Sequence, residues 1–213
     1  MILDKDKALT IADYLLQIKA VKLQPNDPFT WASGWKSPIY CDNRKTLSYP
    51  KIRTAIRQVF AQQIANKFTN IDCIAGVATG GIAIGALIAE EMGLPFIYIR
   101  SSAKVHGLGN QIEGAWEKGQ RVVVIEDLIS TGGSSLQAIE ALRESKIEVL
   151  GLAAIFTYGF DKAVSNFNDA NCEFFTLSDY DHLIEQAKNT NYVSETDIDS
   201  LREWKANPQT WKQ

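Results

Sequence analysis

The apolar positions of this chain follow two patterns. Some recur every three or four residues, the spacing of one helix face; others run unbroken for four residues or more, as in a strand covered on both sides. Ala8, Ile11, Ala12 and Leu15 predict an amphipathic helix over residues 4–19. Ile52, Ile56, Val59, Phe60 and Ile64 predict a second, entered through Ser48-Tyr-Pro50, since proline is tolerated in a first turn. Ile84, Leu87, Ile88 and Met92 stripe a third over 81–92, and Leu136, Ile139 and Leu142 a fourth over about 132–145. The unbroken runs lie after Ile71, at Phe96-Ile-Tyr-Ile, at Val122–Ile125, at Glu148–Phe156 and, shorter, at Glu173–Thr176. Strands alternating with helices predict an α/β fold, a central and mostly parallel sheet flanked by helices. Ser178-Asp-Tyr-Asp181 and Ser194-Glu-Thr-Asp197 read as capping-box starts of two closing helices, with Trp204 and Trp211 packing the tail down.

Two stretches interrupt the alternation. Residues 25–44 combine three prolines, two tryptophans and a Ser-Gly turn with short extended pieces, which predicts a small hairpin outside the main sheet. It reads either as structural or as part of an N-terminal hood of about residues 1–45 that covers a substrate. Residues 101–114 are rich in glycine and poor in large apolar groups, and long irregular stretches of this kind are usually functional or disordered. Lys104 and His106 within it, following Arg100, predict a flexible lid that binds phosphate. With no internal repeat, low-complexity tract or linker, the chain reads as one domain over 1–213.

Composition narrows this picture. With 46% hydrophobic and 22% charged residues, 213 residues can bury a core without disulfides or metal. A net charge of −3 supplies no broad basic face, so no nucleic-acid partner is expected. Cys41, Cys73 and Cys172 form no Cys-x-x-Cys, and reduced thiols in a cytoplasm are the simplest reading. Cys73 falls in an apolar run and reads as core, and His182 as an ordinary surface residue. The N-terminus lacks the apolar core of a signal peptide, and no run of about 18 apolar residues predicts a membrane span.

The chemistry concentrates at Arg121–Ser135. A buried β-branched run, Val122–Ile125, leads into two carboxylates, Glu126 and Asp127, placed where the strand is predicted to end. Ser130-Thr131-Gly132-Gly133-Ser134-Ser135 then opens a helix. Ligands in open α/β sheets bind beyond the carboxyl ends of the strands, and free amides at a helix start suit a phosphate. Amides and hydroxyls for a phosphate, with carboxylates for ribose hydroxyls, point to a phosphorylated sugar. Val77-Ala-Thr-Gly-Gly81 offers a second set of amides at a helix start, without the Gly-Lys-Ser/Thr ending of a nucleotide P-loop.

The stretch Val122–Ser134 closely resembles the phosphoribosyl-diphosphate (PRPP) motif of the type I phosphoribosyltransferases. Phe29-Thr-x-x-Ser33-Gly34-x-x-Ser37-Pro38-x-Tyr40 resembles the N-terminal segment of the orotate phosphoribosyltransferases, and Arg100-x-x-x-Lys104-x-His106-Gly107 their catalytic loop. The resemblance implies transfer of ribose 5-phosphate from PRPP to orotate, giving orotidine monophosphate and diphosphate. It implies PRPP contacts from Arg100, Lys104, His106, Glu126, Asp127, Leu128, Ile129, Ser130, Thr131, Gly132, Gly133 and Ser134. Lys104, His106 and Asp127 would be catalytic, Ser130 would touch orotate, and the loop at Val77–Gly81 would hold the diphosphate. Mg²⁺ is expected, held through PRPP and water rather than by a protein cluster, as is a homodimer whose catalytic loop closes over the neighbouring subunit's site. The chain departs from many members at Ala32 and Ser101, where they carry lysines. Two rivals stay open: a phosphoribosyltransferase for another base, and a PRPP-sensing regulator without catalysis.

Overall fold

The computed structural model describes residues 1–31, 34–101 and 111–212. The first helix, α1 (Lys5–Gln17), is followed by four short strands, β1 (Val21–Leu23), β2 (Phe29–Thr30), β3 (Lys36–Ser37) and β4 (Ile39–Cys41), and a 3-10 turn at Asn43–Ser48. Then come α2 (Pro50–Lys67), β5 (Cys73–Val77), α3 (Gly80–Met92), β6 (Phe96–Ile99) and β7 (Ile112–Glu113). The rest is β8 (Arg121–Ile129), α4 (Gly133–Glu144), β9 (Glu148–Thr157), α5 (Asp161–Asp169), β10 (Phe174–Asp179), α6 (Tyr180–Asn189) and α7 (Glu195–Ala206).

Six strands form one sheet in the order β10-β9-β8-β5-β6-β7. Every pairing from β10 to β6 is parallel, and β7 closes the edge antiparallel to β6. The expected α/β architecture is therefore present. The hood strands stay outside this sheet: β2 and β3 form a hairpin, and β1 pairs antiparallel with β4.

β8 sits inside the sheet between β5 and β9, and Val122 to Ile125 are fully buried. Its alternating side chains feed two cores. Val123 and Ile125 join Ile11, Phe60, Ile84 and Trp204 on one face; Val122 and Val124 join Ile139, Leu142 and Phe167 on the other. Each such side chain contributes roughly 1.5–3 kcal/mol on burial, so this strand is a firmly held base for a site.

Several elements differ from the sequence reading. β8 runs on to Ile129 instead of ending at Ile125, because β9 continues beside it and pairs Glu126 with Ala154, Leu128 with Phe156 and Ile129 with Thr157. Helix α5 is additional; its Ala163 and Phe167 are buried one turn apart. β7 lies inside the stretch expected to be irregular. Ile52 and Val59 are only half-buried in α2. Ser178 is no helix cap: it is buried in β10 and donates its hydroxyl to the Ala8 carbonyl, 2.9 Å. Asp179 caps α6 instead, accepting from the His182 amide at 3.0 Å, and holds the half-buried His182 ring at 2.7 Å. The Ser194–Asp197 capping box forms as expected, and Trp204, Trp211 and Cys73 are buried. Among the described residues no helix is long and apolar enough to cross a membrane.

Candidate active site

Strand alternation gives the two adjacent acids different surroundings. Glu126 is only 5% exposed; its Oε1 accepts from the Asp127 amide at 3.0 Å and its Oε2 from the Ser135 hydroxyl at 3.1 Å. It thus ties the end of β8 to the first turn of α4. Burial, reinforced by the charge of Asp127, pushes its carboxyl up to about 8. Asp127 is half-buried, and its carboxylate lies directly against Gly80 at the start of α3. A side chain at Gly80 would collide with that carboxylate, and one at Gly81 with the Ile125 carbonyl. The Val77–Gly81 loop, whose Ala78–Thr79 peptide is cis, therefore lies in close contact with β8. These groups border a cavity of about 310 Å³, closed on its other side by Cys41, Asp42 and Arg44 of the hood and by Ser134. Burial and the charge of Asp127 push the Cys41 thiol up, which keeps it protonated and unsuited to nucleophilic work.

The turn after β8 is shaped for a phosphate. Gly132 adopts φ +83°, and a Cβ there would come within 2.6 Å of the Phe167 ring, so both backbone and packing require glycine. The turn is braced from outside, where the Asn166 amide donates to the Thr131 carbonyl at 2.9 Å. Thr131, Gly133 and Ser134 remain exposed, with the first amides of the 12-residue α4 beside them. This is an anion cradle at a helix start. Leu128 and Ile129 have another part. Leu128 is half-buried, packing against the core while also bordering the smaller cavity, and Ile129 is buried.

Ser130 faces a second and larger cavity of about 850 Å³. Trp31 and Trp35 of the hood, Phe160, Lys162, and Arg202 and Lys205 of α7 also line it. Lys205 is paired with Asp181 at 2.5 Å. Lys36 donates to the Thr30 hydroxyl across the hood hairpin at 3.0 Å.

Of the groups singled out in the sequence, Glu126, Asp127, Leu128 and Ser134 border the smaller cavity, and Ser130 and Thr131 line the larger. Arg100 is held at the end of β6, its guanidinium 3.4 Å from Glu113. Lys104 and His106 lie outside the described residues. Two hood residues were not singled out and meet these groups: Asn43, whose amide donates to the Asp127 carbonyl at 2.7 Å, and Arg44, which borders the smaller cavity. Only the Asp42-Asn-Arg run just beyond β4 hinted at them.

The weakened acidity of Glu126 bears on stability. A carboxyl that holds its proton up to about pH 8 when folded, against about 4.5 otherwise, makes the folded state the better proton binder. Its contribution is most favourable below 4.5 and is lost as pH rises through 8. Glu126→Gln can keep both contacts without titrating. Denaturant unfolding of the ligand-free protein should show the variant gaining roughly 3–5 kcal/mol on wild type between about pH 5 and pH 9. A difference that does not change with pH would mean Glu126 is ionised throughout.

Residues 45–189 match the family model described as phosphoribosyl transferase domain. The chain is 57% identical over 201 residues to an orotate phosphoribosyltransferase of Porphyromonas gingivalis, covering 94% of this chain and 96% of that protein. An orotate phosphoribosyltransferase of Listeria innocua is also 57% identical, with the same coverage. Among solved structures, the orotate phosphoribosyltransferase of Aeropyrum pernix superimposes with a TM-score of 0.75 at 26% identity, covering 86% of this chain and 99% of that one. The UMP synthase of Leishmania donovani superimposes with a TM-score of 0.79 at 28% identity; 93% of this chain is covered but only 42% of that longer one.

Proposed function

Because the chain belongs to the orotate phosphoribosyltransferase family, we propose that it transfers the ribose 5-phosphate of PRPP to N1 of orotate. The products are orotidine 5'-monophosphate and diphosphate, a step of pyrimidine nucleotide synthesis. One observation carries the choice of base. The phosphoribosyl transferase match begins at residue 45, whereas the likeness to orotate enzymes spans 94% of the chain. That span is too long to leave the hood out.

In the reaction the bond from C1 of the ribose to the diphosphate oxygen breaks, and the electron pair leaves with diphosphate. The bond from N1 to C1 forms, and N1 gives up its proton. Positive charge builds on the ribose ring between these events. The Thr131–Ser134 turn and the amides opening α4 hold the 5-phosphate. Asp127, the more accessible of the two acids, receives the ribose hydroxyls and favours the developing charge. Glu126 keeps Asp127 and α4 in register through its two hydrogen bonds. Ser130 meets the base from the side of the larger cavity. Lys104 and His106 on the lid, with Arg100 at its foot beside Glu113, meet the diphosphate, and the lid also excludes water.

Mg²⁺ fits this site. The Asp127 carboxylate is a hard oxygen donor at the ribose cavity, and among the described residues no group of three or more His, Cys, Asp or Glu gathers around one point. That donor set suits an ion held by one or two carboxylates, the diphosphate and water. When bound, it neutralises charge on the diphosphate. The active unit in this reading is a homodimer in which each lid serves the neighbouring site. The three free cysteines support a reducing, cytoplasmic setting.

The test is an acceptor panel: protein, Mg²⁺ and PRPP with orotate, uracil or hypoxanthine, read as diphosphate release. Release with orotate alone is expected. Release with another base instead would reassign the acceptor, and none with any base would leave a PRPP sensor.

A further inference from the structure

The cavity that carries the two acids has one cationic side chain among the described residues that line it, Arg44 of the hood. Its position is fixed by its neighbours. Asp42 donates its amide to the Ala20 carbonyl at 2.8 Å, which fastens the segment to the β1–β4 ribbon. Asn43 is 1% exposed; its amide donates to the Asp127 carbonyl at 2.7 Å and its Oδ1 accepts from the Cys41 thiol at 3.3 Å. The residue before Arg44 is therefore pinned to the backbone of the ribose acid itself.

The guanidinium is oriented as well as placed. Its Nε donates to Asp42 Oδ1 at 2.7 Å, which directs one edge of the fork and leaves the terminal nitrogens on the other, while the side chain is 59% exposed. Across the cavity stand Ala78, Thr79 and Gly80, the loop at the start of α3, and beside them the Asp127 carboxylate. Asp127 is close enough to add to the field on Arg44. A planar fork with two parallel donors matches a phosphate better than a point charge does. Of the cations expected to meet the diphosphate, Arg100 is engaged with Glu113 at the sheet edge.

We infer that Arg44 is a ligand of the diphosphate end of PRPP, supplied by the hood, which clamps the leaving group from the side opposite the Ala78–Gly80 loop. This rests on the reading of the cavity as the PRPP site. It gives the hood a role beyond base choice, since the contact of the hood with β8 also completes the leaving-group site.

Arg44→Ala, with Arg44→Lys beside it, tests this by calorimetric titration with two fragments of the substrate. Diphosphate with Mg²⁺ should bind Arg44→Ala roughly 10- to 100-fold more weakly, the loss expected for charged hydrogen bonds to one guanidinium. Arg44→Lys should lie between. Ribose 5-phosphate, which lacks the diphosphate, should bind both variants as it binds wild type. Unchanged diphosphate affinity would overturn the assignment, and so would an equal loss for both fragments, which marks a general disturbance of the hood. The reading of function fails separately: residual turnover of Arg44→Ala that still requires orotate keeps that reading whatever Arg44 does.

Discussion

Asp127→Asn should lower kcat by roughly 10²–10³-fold, the cost of removing one electrostatic partner from a developing charge in a dry site. The substitution is nearly isosteric, so the close fit against Gly80 and the hydrogen bond from Asn43 to the Asp127 carbonyl both survive. What disappears is the negative charge at the ribose. A group that acts on the transition state lowers kcat and kcat/KM together, and KM for PRPP should change far less than turnover. Thermal unfolding of the variant should stay within a few degrees of wild type, since no buried apolar contact is lost. Wild-type turnover would remove Asp127 from the site.

Lys104→Ala should lower turnover by a comparable factor, on the order of 10²-fold, while weakening PRPP binding only slightly, because a lid cation tightens on the departing diphosphate rather than on the bound substrate. Single-turnover rates with saturating PRPP and orotate separate the two effects. Unchanged turnover would sink the lid. Mixing the Lys104→Ala and Asp127→Asn proteins examines the shared-loop dimer in the same assay. In a mixed dimer one site has both Asp127 and a partner's Lys104, so roughly a quarter of wild-type activity should return after subunit exchange. No recovery would place each lid over its own site.

Much of the fold was legible because its strongest signals are local. The β-branched run at Val122–Ile125 is buried on both faces, as such runs are in parallel sheets, and the helical stripes at Ile11 and Leu15 or Ile139 and Leu142 point to the cores they enter. The misses have physical causes. The apolar run stops at Ile125 but the backbone ladder does not, because β9 goes on offering partners as far as Thr157. Since the strand continues, Glu126 and Asp127 fall on opposite faces, and two acids that look equivalent in sequence become a buried brace and a half-exposed carboxylate. Helix α5 is nine residues long and carries only two buried side chains, too short a stripe to stand out. Ser178 looked like a cap because serine caps helices well, but the strand needed its hydroxyl for the Ala8 carbonyl, and Asp179 was next in line.

The site was legible in part, along the same division. Glu126 to Ser134 is contiguous, so one turn of chain announces a ribose and a phosphate. Asn43 stands 84 residues from Asp127, and only the folded hood brings it and Arg44 to that acid. Nothing local to the Asp-Asn-Arg run indicated a carbonyl on β8 as its partner. Such contacts belong to the tertiary structure.

In the proposed reaction the turn after β8 holds the ribose 5-phosphate, while base choice and leaving-group chemistry lie elsewhere. A crystal structure of the protein with PRPP, Mg²⁺ and an unreactive orotate analogue tests that division most directly. The expected density has the 5-phosphate on the Thr131–Ser134 amides, the ribose hydroxyls at Asp127, the diphosphate between Ala78–Gly80 and Arg44, and the base beside Ser130. A 5-phosphate bound at Ala78–Gly80, or a base seated away from Ser130, would overturn that division.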